Sequence, residues 1–94
     1  MIGLNYKEIR ADWGKRGFTC DIWIDPPGQK WPDFIHKTDE LVMLIEGEME
    51  LSFLGKTLRP EIGEEILIPA GARHTVVNIG KTTNRWYYGY KKTA

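Results

Sequence analysis

A single cysteine, Cys20, leaves the chain without a partner for an intramolecular disulfide. Small domains without disulfides depend for their stability on core packing, a bound metal or a partner subunit. Cys20 also lacks a second cysteine at the spacing of a metal site, and a buried free cysteine usually behaves as a small apolar side chain. We therefore expect Cys20 to be chemically inert.

The sequence also lacks an excess of charge of either sign, because 13 Lys and Arg residues are balanced by 13 Asp and Glu residues. Binding to the phosphate backbone requires a basic surface, so nucleic acid is not an expected partner. No apolar run approaches the roughly 18 residues of a membrane span, and the first residues lack the apolar stretch of a signal peptide. We expect no membrane partner and a cytoplasmic location.

The length of 94 residues allows one domain with one core, since folded domains typically run from about 50 to 250 residues. The hydrophobic share of 41% and the charged share of 28% are typical of a folded, water-soluble chain. Residues 1–94 are therefore predicted to form a single domain. Its small size also favours oligomerisation.

Apolar residues recur with a period near two, and glycine and proline interrupt the pattern at short intervals, which leaves little room for helices. The segments between these interruptions are rich in β-branched and aromatic residues, as strands are. The predicted strands are 19–24, 41–46, 48–54, 65–68, 74–79 and 85–90, with shorter ones at 6–9 and 56–58. About eight short strands predict an all-β sandwich or jelly-roll barrel.

The segment 41–48 leads to two further predictions, a hairpin and a strand buried on both faces. Gly47, between Glu46 and Glu48, can supply the positive φ of a tight hairpin joining two strands. The run from Leu41 to Ile45 does not alternate with polar residues, which predicts burial on both faces. The second face would lie between sheets or at a subunit contact, and a homodimer would explain it.

The most specific pattern lies between Gly63 and Asn78, where the chain reads G-x5-P-x-G-x2-H-x3-N. A chance match at five fixed positions in so short a chain is on the order of one in a hundred thousand. The segment resembles the second motif of the cupin superfamily, and that resemblance implies a small single-domain jelly-roll barrel. Pro69 and Gly71 are expected to form a tight turn, after which His74 begins a strand at the barrel mouth.

The first cupin motif, G-x5-H-x-H-x3,4-E-x6-G, fits residues 28–47 at Gly28, Gly47 and two ligand positions. In the family, two histidines and a glutamate of this motif bind one divalent metal ion together with the histidine of the second. The resemblance therefore implies that His36, Glu40 and His74 are metal ligands, with Fe, Zn, Mn or Ni as the ion. The two motif segments, 28–47 and 63–78, form the core of the predicted domain.

Phe34 stands where the family has its first histidine, and this leaves two interpretations open. With three ligands the site is either an unusually open catalytic centre or a degenerate, empty one. Asp33 and Asp39 flank the ligand positions, but strand alternation directs them away from the predicted ligands. The plainest alternative is an ordinary polar cluster in a pocket.

The aromatic residues indicate either a pocket lining or core packing. We favour the core for Trp23, Phe53 and Trp86, because a small barrel needs large side chains to fill it. The predicted pocket-lining residues are Phe34, Trp31, Arg73 and Tyr88. Arg73 is expected at the mouth, where it would steer an anionic substrate or serve only solubility.

Two functions follow, and both have a small-molecule ligand as partner. The first is a metal-dependent enzyme in which the ion polarises a substrate oxygen or activates dioxygen or water. The resemblance implies a dioxygenase, an isomerase or a lyase among the reactions open to it. The second is a binding or sensing module without turnover, which the short chain and Phe34 favour. A purely structural oligomer has no positive feature in its support.

Overall fold

A computed structural model describes residues 5–92, which form one helix and eight strands. In chain order the elements are α1 (Tyr6–Lys15), β1 (Asp21–Asp25), β2 (Lys30–Phe34), β3 (Glu40–Glu46), β4 (Met49–Phe53), β5 (Lys56–Leu58), β6 (Glu65–Ile68), β7 (His74–Asn78) and β8 (Asn84–Tyr90). Within these residues no helix is long and apolar enough to cross a membrane.

The strands form two four-stranded sheets with the orders β1-β8-β3-β6 and β2-β7-β4-β5. Every recorded strand pairing is antiparallel. Except for the β4–β5 hairpin, each strand is followed in sequence by a strand of the other sheet. This alternation between sheets is a jelly roll, and the predicted all-β jelly-roll fold of about eight strands is confirmed.

The predicted hairpin at Gly47 is wrong, because β3 and β4 belong to different sheets. Gly47 does have a φ of 98°, but the turn crosses from one sheet to the other. The Asn84 side chain holds it by donating to the Glu48 carbonyl and accepting from the Glu48 amide, both at 2.8 Å. A Cβ on residue 47 would lie 1.9 Å from Asn84 Oδ1, so this close approach as well as φ requires glycine.

The predicted strand at 6–9 is also wrong, since this segment begins helix α1. The Asn5 side chain caps the helix by accepting a 3.1 Å hydrogen bond from the Glu8 amide. Tyr6, Ile9 and Trp13 follow at spacings of three and four, which places them on one face of the helix. That face packs against a sheet, and tertiary burial of Ile9 and Trp13 supports the helix.

Strand β2, by contrast, was not predicted. Its sequence includes Pro32, and proline demotes a segment to an edge strand or a non-strand. β2 is indeed the edge of its sheet. Its pairing with β7 is irregular between Trp31 and Phe34.

The burial of β3 on both faces is confirmed over its first five residues. Val42 and Leu44 belong to the core between the sheets. Leu41 and Met43 belong to a second core, together with Ile9 of helix α1. The helix of the same chain therefore covers the face that had suggested a homodimer, and the homodimer stays a prediction without that support.

Helix α1 is tied to the sheet by Glu65 of β6. Trp13 donates its indole N–H to Glu65 Oε1 at 3.0 Å, and Arg16 donates to both carboxylate oxygens at 2.7 and 2.6 Å. The bonds from Arg16 have the largest effect, and together with the Trp13 bond they hold the pKa of Glu65 below its usual value despite partial burial.

Cys20 is buried in the same layer between helix and sheet, and burial raises the pKa of its thiol to about 11. A thiol that stays protonated at neutral pH is a poor nucleophile.

Candidate metal centre and aromatic cavity

The three predicted ligands come together at one end of the barrel from three different segments. Glu40 begins β3, His74 begins β7 in the other sheet, and His36 lies in the connection between β2 and β3. One ligand atom from each of these residues lies within 4.8 Å of the others. His74 is 34 residues from Glu40 and 38 from His36 in sequence, and the three form one cluster because the two sheets face each other.

The Glu40 carboxylate is the centre of this cluster. Its Oε1 lies 3.3 Å from His74 Nε2 and 3.6 Å from His36 Nε2. Glu40 is only 4% exposed, and this oxygen has no hydrogen bond of good geometry among the described residues. A buried carboxylate oxygen without a partner costs free energy, so the position favours a proton or a cation.

His74 is oriented by the backbone next to it. Its Nδ1 lies 3.2 Å from the Ala72 carbonyl, which can only accept, so the ring proton is assigned to Nδ1 and the Nε2 lone pair faces Glu40. Burial lowers the pKa of His74, but the Glu40 carboxylate 3.3 Å away and the Ala72 carbonyl outweigh it and raise this pKa above its ordinary value. The imidazole therefore gains a proton readily when only Glu40 faces it.

His36 lies outside the strands and is held by contacts with other segments. The Gly71 amide donates to its carbonyl at 2.8 Å. Phe34 stacks on its ring with an interplanar angle of 9° and a centroid distance of 6.0 Å. The Tyr90 hydroxyl lies 3.4 Å from Nε2. Burial, followed by the nearby charge of Glu40, raises the pKa of Tyr90 to about 12, so this phenol keeps its proton.

The motif turn at 69–72 positions both imidazoles. Besides the Gly71 bond to His36 and the Ala72 bond to His74, the Ala70 amide donates to Asp39 Oδ1 at 2.8 Å. Asp39 is thus engaged by this turn, while the side chain of Asp33 lies outside the described part of the chain. The Asn78 amide group of the same motif donates to the carbonyls of Asp25 and Thr82 at 3.2 and 3.0 Å, which is a structural role.

The cluster opens into a cavity of about 160 Å³. Ten residues line it, namely Trp23, Trp31, Phe34, His36, Glu40, His74, Val76, Trp86, Tyr88 and Tyr90. The lining is mostly aromatic, as in many small-molecule pockets. At about 30 Å³ for each water, the space equals roughly five water molecules, which suits a small ligand.

Three of the four predicted lining residues, Phe34, Trp31 and Tyr88, are found at this cavity, and Arg73 is not. Because side chains alternate along the chain at β7, His74 faces the barrel interior while Arg73 is exposed. Arg73 lines a separate hollow beside Phe53 and Lys56. The expectation that Arg73 steers a substrate at the mouth of this cavity is therefore corrected.

One aromatic residue lies elsewhere than predicted. Phe53 and Trp86 belong to the core, as favoured, although Trp86 also reaches the cavity. Trp23, favoured as a core residue, is 37% exposed and forms part of the cavity wall. The spacing of Trp86, Tyr88 and Tyr90 at every second residue was the signal for one aromatic face of β8.

The residues present fit a divalent metal ion. Two imidazole nitrogens and one carboxylate oxygen are a common donor set for Zn²⁺ and for non-haem iron. The unpartnered oxygen of Glu40 and the orientation of the His74 lone pair both point to this use. Phe34 lies beside both imidazoles and brings no donor atom.

Comparisons with known proteins agree with this fold. A family model described as a cupin domain matches residues 21–90, about three quarters of the chain. No curated protein sequence matches the chain.

Solved structures give the same result at the level of the fold. A Cupin 2 conserved barrel domain protein from Salinispora arenicola is 23% identical, with a TM-score of 0.72 over 82% of this chain and 65% of that one. A cupin superfamily protein from Desulfitobacterium hafniense is 14% identical, with a TM-score of 0.71 over 81% and 68%. An oxalate oxidase in complex with the substrate analogue glycolate is 26% identical, with a TM-score of 0.73 over 82% and 43%. The chain thus spans 65% of the first of these proteins and 43% of the oxidase.

Proposed function

This chain belongs to the cupin domain family, and from that premise we propose that it binds one divalent metal ion through His36, Glu40 and His74. We propose further that it holds a small organic molecule in the adjoining cavity. The observation that carries the proposal is the buried Glu40 oxygen, which lies between two imidazole nitrogens and has no hydrogen-bond partner among the described atoms of residues 5–92, which leave out the Asp33 side chain.

The donor set suits Fe, Zn, Mn or Ni. When bound, such an ion supplies Lewis-acid polarisation of an oxygen-bearing ligand, or activation of water or dioxygen. The Ala72 carbonyl keeps the His74 proton on Nδ1 and leaves Nε2 for the metal. The Tyr90 phenol keeps its proton next to His36 and serves as a hydrogen-bond donor for the bound molecule.

The proposed function can take two forms, an enzyme or a module that binds its ligand without turnover. Similarity to an oxalate oxidase in complex with glycolate supports an enzyme acting on a small molecule, with oxidation, isomerisation or lysis as its reaction. Phe34 in place of a family imidazole supports a module that binds its ligand without turnover. Product formation in a metabolite screen distinguishes the enzyme from the binding module, which would show thermal stabilisation alone.

Metal analysis of the purified protein tests the proposal directly. We expect about one ion per chain after dialysis against each of the four metals without chelator. His74→Ala and Glu40→Gln should lose the ion, because each removes one of three donors. Arg73→Ala is the matched control, since Arg73 is adjacent to His74 but exposed and outside the cavity. Equal, near-zero metal in wild type and variants would refute the proposed site.

We also propose a homodimer. β1 is the edge of its sheet and carries Ile22 and Ile24, which are 40% and 59% exposed in the single chain. Exposed apolar residues on an edge strand are typical of a surface that pairs with another chain. Sedimentation equilibrium should give twice the mass of 10.9 kDa, and Ile24→Lys should give the single mass. A monomeric wild type at micromolar concentration would contradict the dimer.

A further inference from the structure

The cavity has two chemically different ends, and Phe34 lies between them. The Phe34 ring contacts Trp31 on one side, with centroids 6.0 Å apart. On the other side it contacts the rings of His36 and His74, at 6.0 and 6.1 Å. The metal end is formed by His36, Glu40 and His74, and the indole end is formed by Trp23, Trp31, Trp86 and Tyr88.

The rings of the indole end enclose space from several directions. Trp23 is nearly perpendicular to Trp31, at 75° and 5.4 Å between centroids, and to Tyr88, at 80° and 6.0 Å. Trp86 is inclined at 56° to Tyr88 at 5.6 Å. In each T-shaped pair the edge of one ring packs on the face of the other, and all four rings also line the cavity. Several aromatic faces around one point form the arrangement that binds quaternary ammonium groups.

The charged side chain nearest this end is acidic. Among the ten described residues that line the cavity, none is Lys or Arg, and Glu40 is an acid. A second carboxylate, Asp25, lies behind the wall and is only 1% exposed. An anionic group at the indole end would meet the buried Asp25 with no Lys or Arg in the lining, whereas a cation would be attracted by Asp25.

Asp25 also determines how two of the indoles face the cavity. Its Oδ1 accepts the Trp31 indole N–H and its Oδ2 accepts that of Trp86, both at 2.9 Å. The polar edges of both rings are therefore used outside the cavity, and their faces remain for a ligand. Hydrogen bonding to a carboxylate polarises each indole toward higher electron density, which strengthens the attraction of its face for a cation.

We propose that the indole end binds the methylated ammonium group of a small ligand. The inference rests on the proposed function in one respect, namely that this cavity is a ligand site whose metal end takes the ligand's polar group. The cation is held by the faces of Trp23, Trp31 and Tyr88 and by the negative charge of Asp25. A neutral ligand of the same shape would use the apolar walls without using this charge.

A pair of matched ligands tests the proposal on the unmodified chain. Choline and the neutral 3,3-dimethylbutan-1-ol have the same shape but differ in charge, and each has a methyl singlet whose broadening reports binding by NMR. We expect choline to bind at least tenfold more tightly, which corresponds to about 1.4 kcal/mol. Tetramethylammonium should bind and trimethylacetate should not. Equal affinity for choline and its neutral analogue would overturn the inference.

Variants and metal loading then locate the effect. Trp23→Ala should lose the choline preference, whereas Trp23→Phe keeps a ring and should retain most of it. Leu54→Ala is a control on a 65% exposed residue outside the cavity. Circular dichroism melts establish that each variant is folded. A Trp23→Ala variant that keeps full selectivity would also overturn the inference.

The same titration with and without metal separates this inference from the proposed function. Choline selectivity should persist in chelator-treated protein, because the indole end contains no metal ligand. Protein that binds one metal ion but shows no choline selectivity refutes the indole-end site alone. Protein that shows selectivity but binds no metal refutes the proposed metal site alone.

Discussion

Phe34 is the residue that distinguishes this site from one with a fourth donor. Its ring lies against both imidazoles, stacked on His36 and tilted by 34° to His74. It is 40% exposed, so it forms part of the cavity mouth. The same side chain thus withholds a donor from the metal end and adds an apolar surface at the entrance.

Restoring an imidazole at this position should strengthen metal binding. Phe34→His places a third imidazole near the Glu40 oxygen, and we expect the affinity for Zn²⁺ or Ni²⁺ to rise at least tenfold, about 1.4 kcal/mol. Competition with a chromogenic chelator measures the change. Phe34→Leu is the control, because it removes the ring without adding a donor. An unchanged affinity in Phe34→His would show that residue 34 does not occupy a ligand position.

Helix α1 is the element that closes the outer face of the β1-β8-β3-β6 sheet. Trp13 is fully buried, and the bonds of Trp13 and Arg16 to Glu65 hold the last turns of the helix on β6. Such partly exposed ion pairs contribute modestly, but a two-pronged Arg–carboxylate bond with an added indole donor is among the stronger ones.

The Glu65 bonds should make the stability of the chain pH-dependent. Because folding lowers the pKa of Glu65, its contribution is present above the ordinary value of 4.5 and is lost as the pH falls through the lowered, folded pKa. We expect Glu65→Gln to cost about 1 to 2 kcal/mol at pH 7. Urea unfolding of both proteins at a series of pH values should show this difference shrinking below pH 4.5. Parallel pH profiles would contradict it.

At the scale of elements, sequence patterns predicted most of the fold. Strands β5 and β6 were predicted at the boundaries the structure gives them, because short alternating runs between turn residues leave few alternatives. Helix α1 was missed although Tyr6, Ile9 and Trp13 have helical spacing, since a ten-residue helix depends on tertiary burial that no local window reports. The crossing at Gly47 was missed because a positive φ serves hairpins and sheet-to-sheet turns alike.

The candidate site, like the fold, was predicted from the sequence only in part. Two motifs predicted that His36, Glu40 and His74 lie together, as they do, because the spacing of motif positions is readable along the chain. The position of Trp23 and the role of Asp25 were not predicted, since they depend on which segments the two sheets bring together. Nothing in the neighbourhood of Asp25 in sequence indicates that its carboxylate accepts the indoles of Trp31 and Trp86.

The molecule consists of three layers, which are helix α1, the β1-β8-β3-β6 sheet and the β2-β7-β4-β5 sheet. Strand β3 lies in the middle layer. One face of β3 carries Glu40 and Val42 toward the space between the sheets, and the other carries Leu41 and Met43 toward helix α1. The metal end is thus built from residues in both sheets. A ligand bound there links the two sheets directly.

Metal binding should therefore stabilise the whole fold. A ligand that binds only the folded state at 100 times its Kd adds about 2.7 kcal/mol, which for a chain of this size raises Tm by roughly 11 to 20 °C. Thermal unfolding with Zn²⁺ and with excess chelator measures the shift, and His74→Ala should show none. A wild-type Tm that does not respond to any of the four metals would contradict this expectation.

The contacts of the turn at 69–72 limit which substitutions this sequence can accept during evolution. Its amides bind the His36 carbonyl and the Asp39 carboxylate, and the Ala72 carbonyl orients His74. The two motif segments are separated along the chain, but these contacts constrain their substitutions jointly. Replacements in the turn would be tolerated only with compensating replacements at residues 36–39, so in an alignment of descendants the two segments should covary.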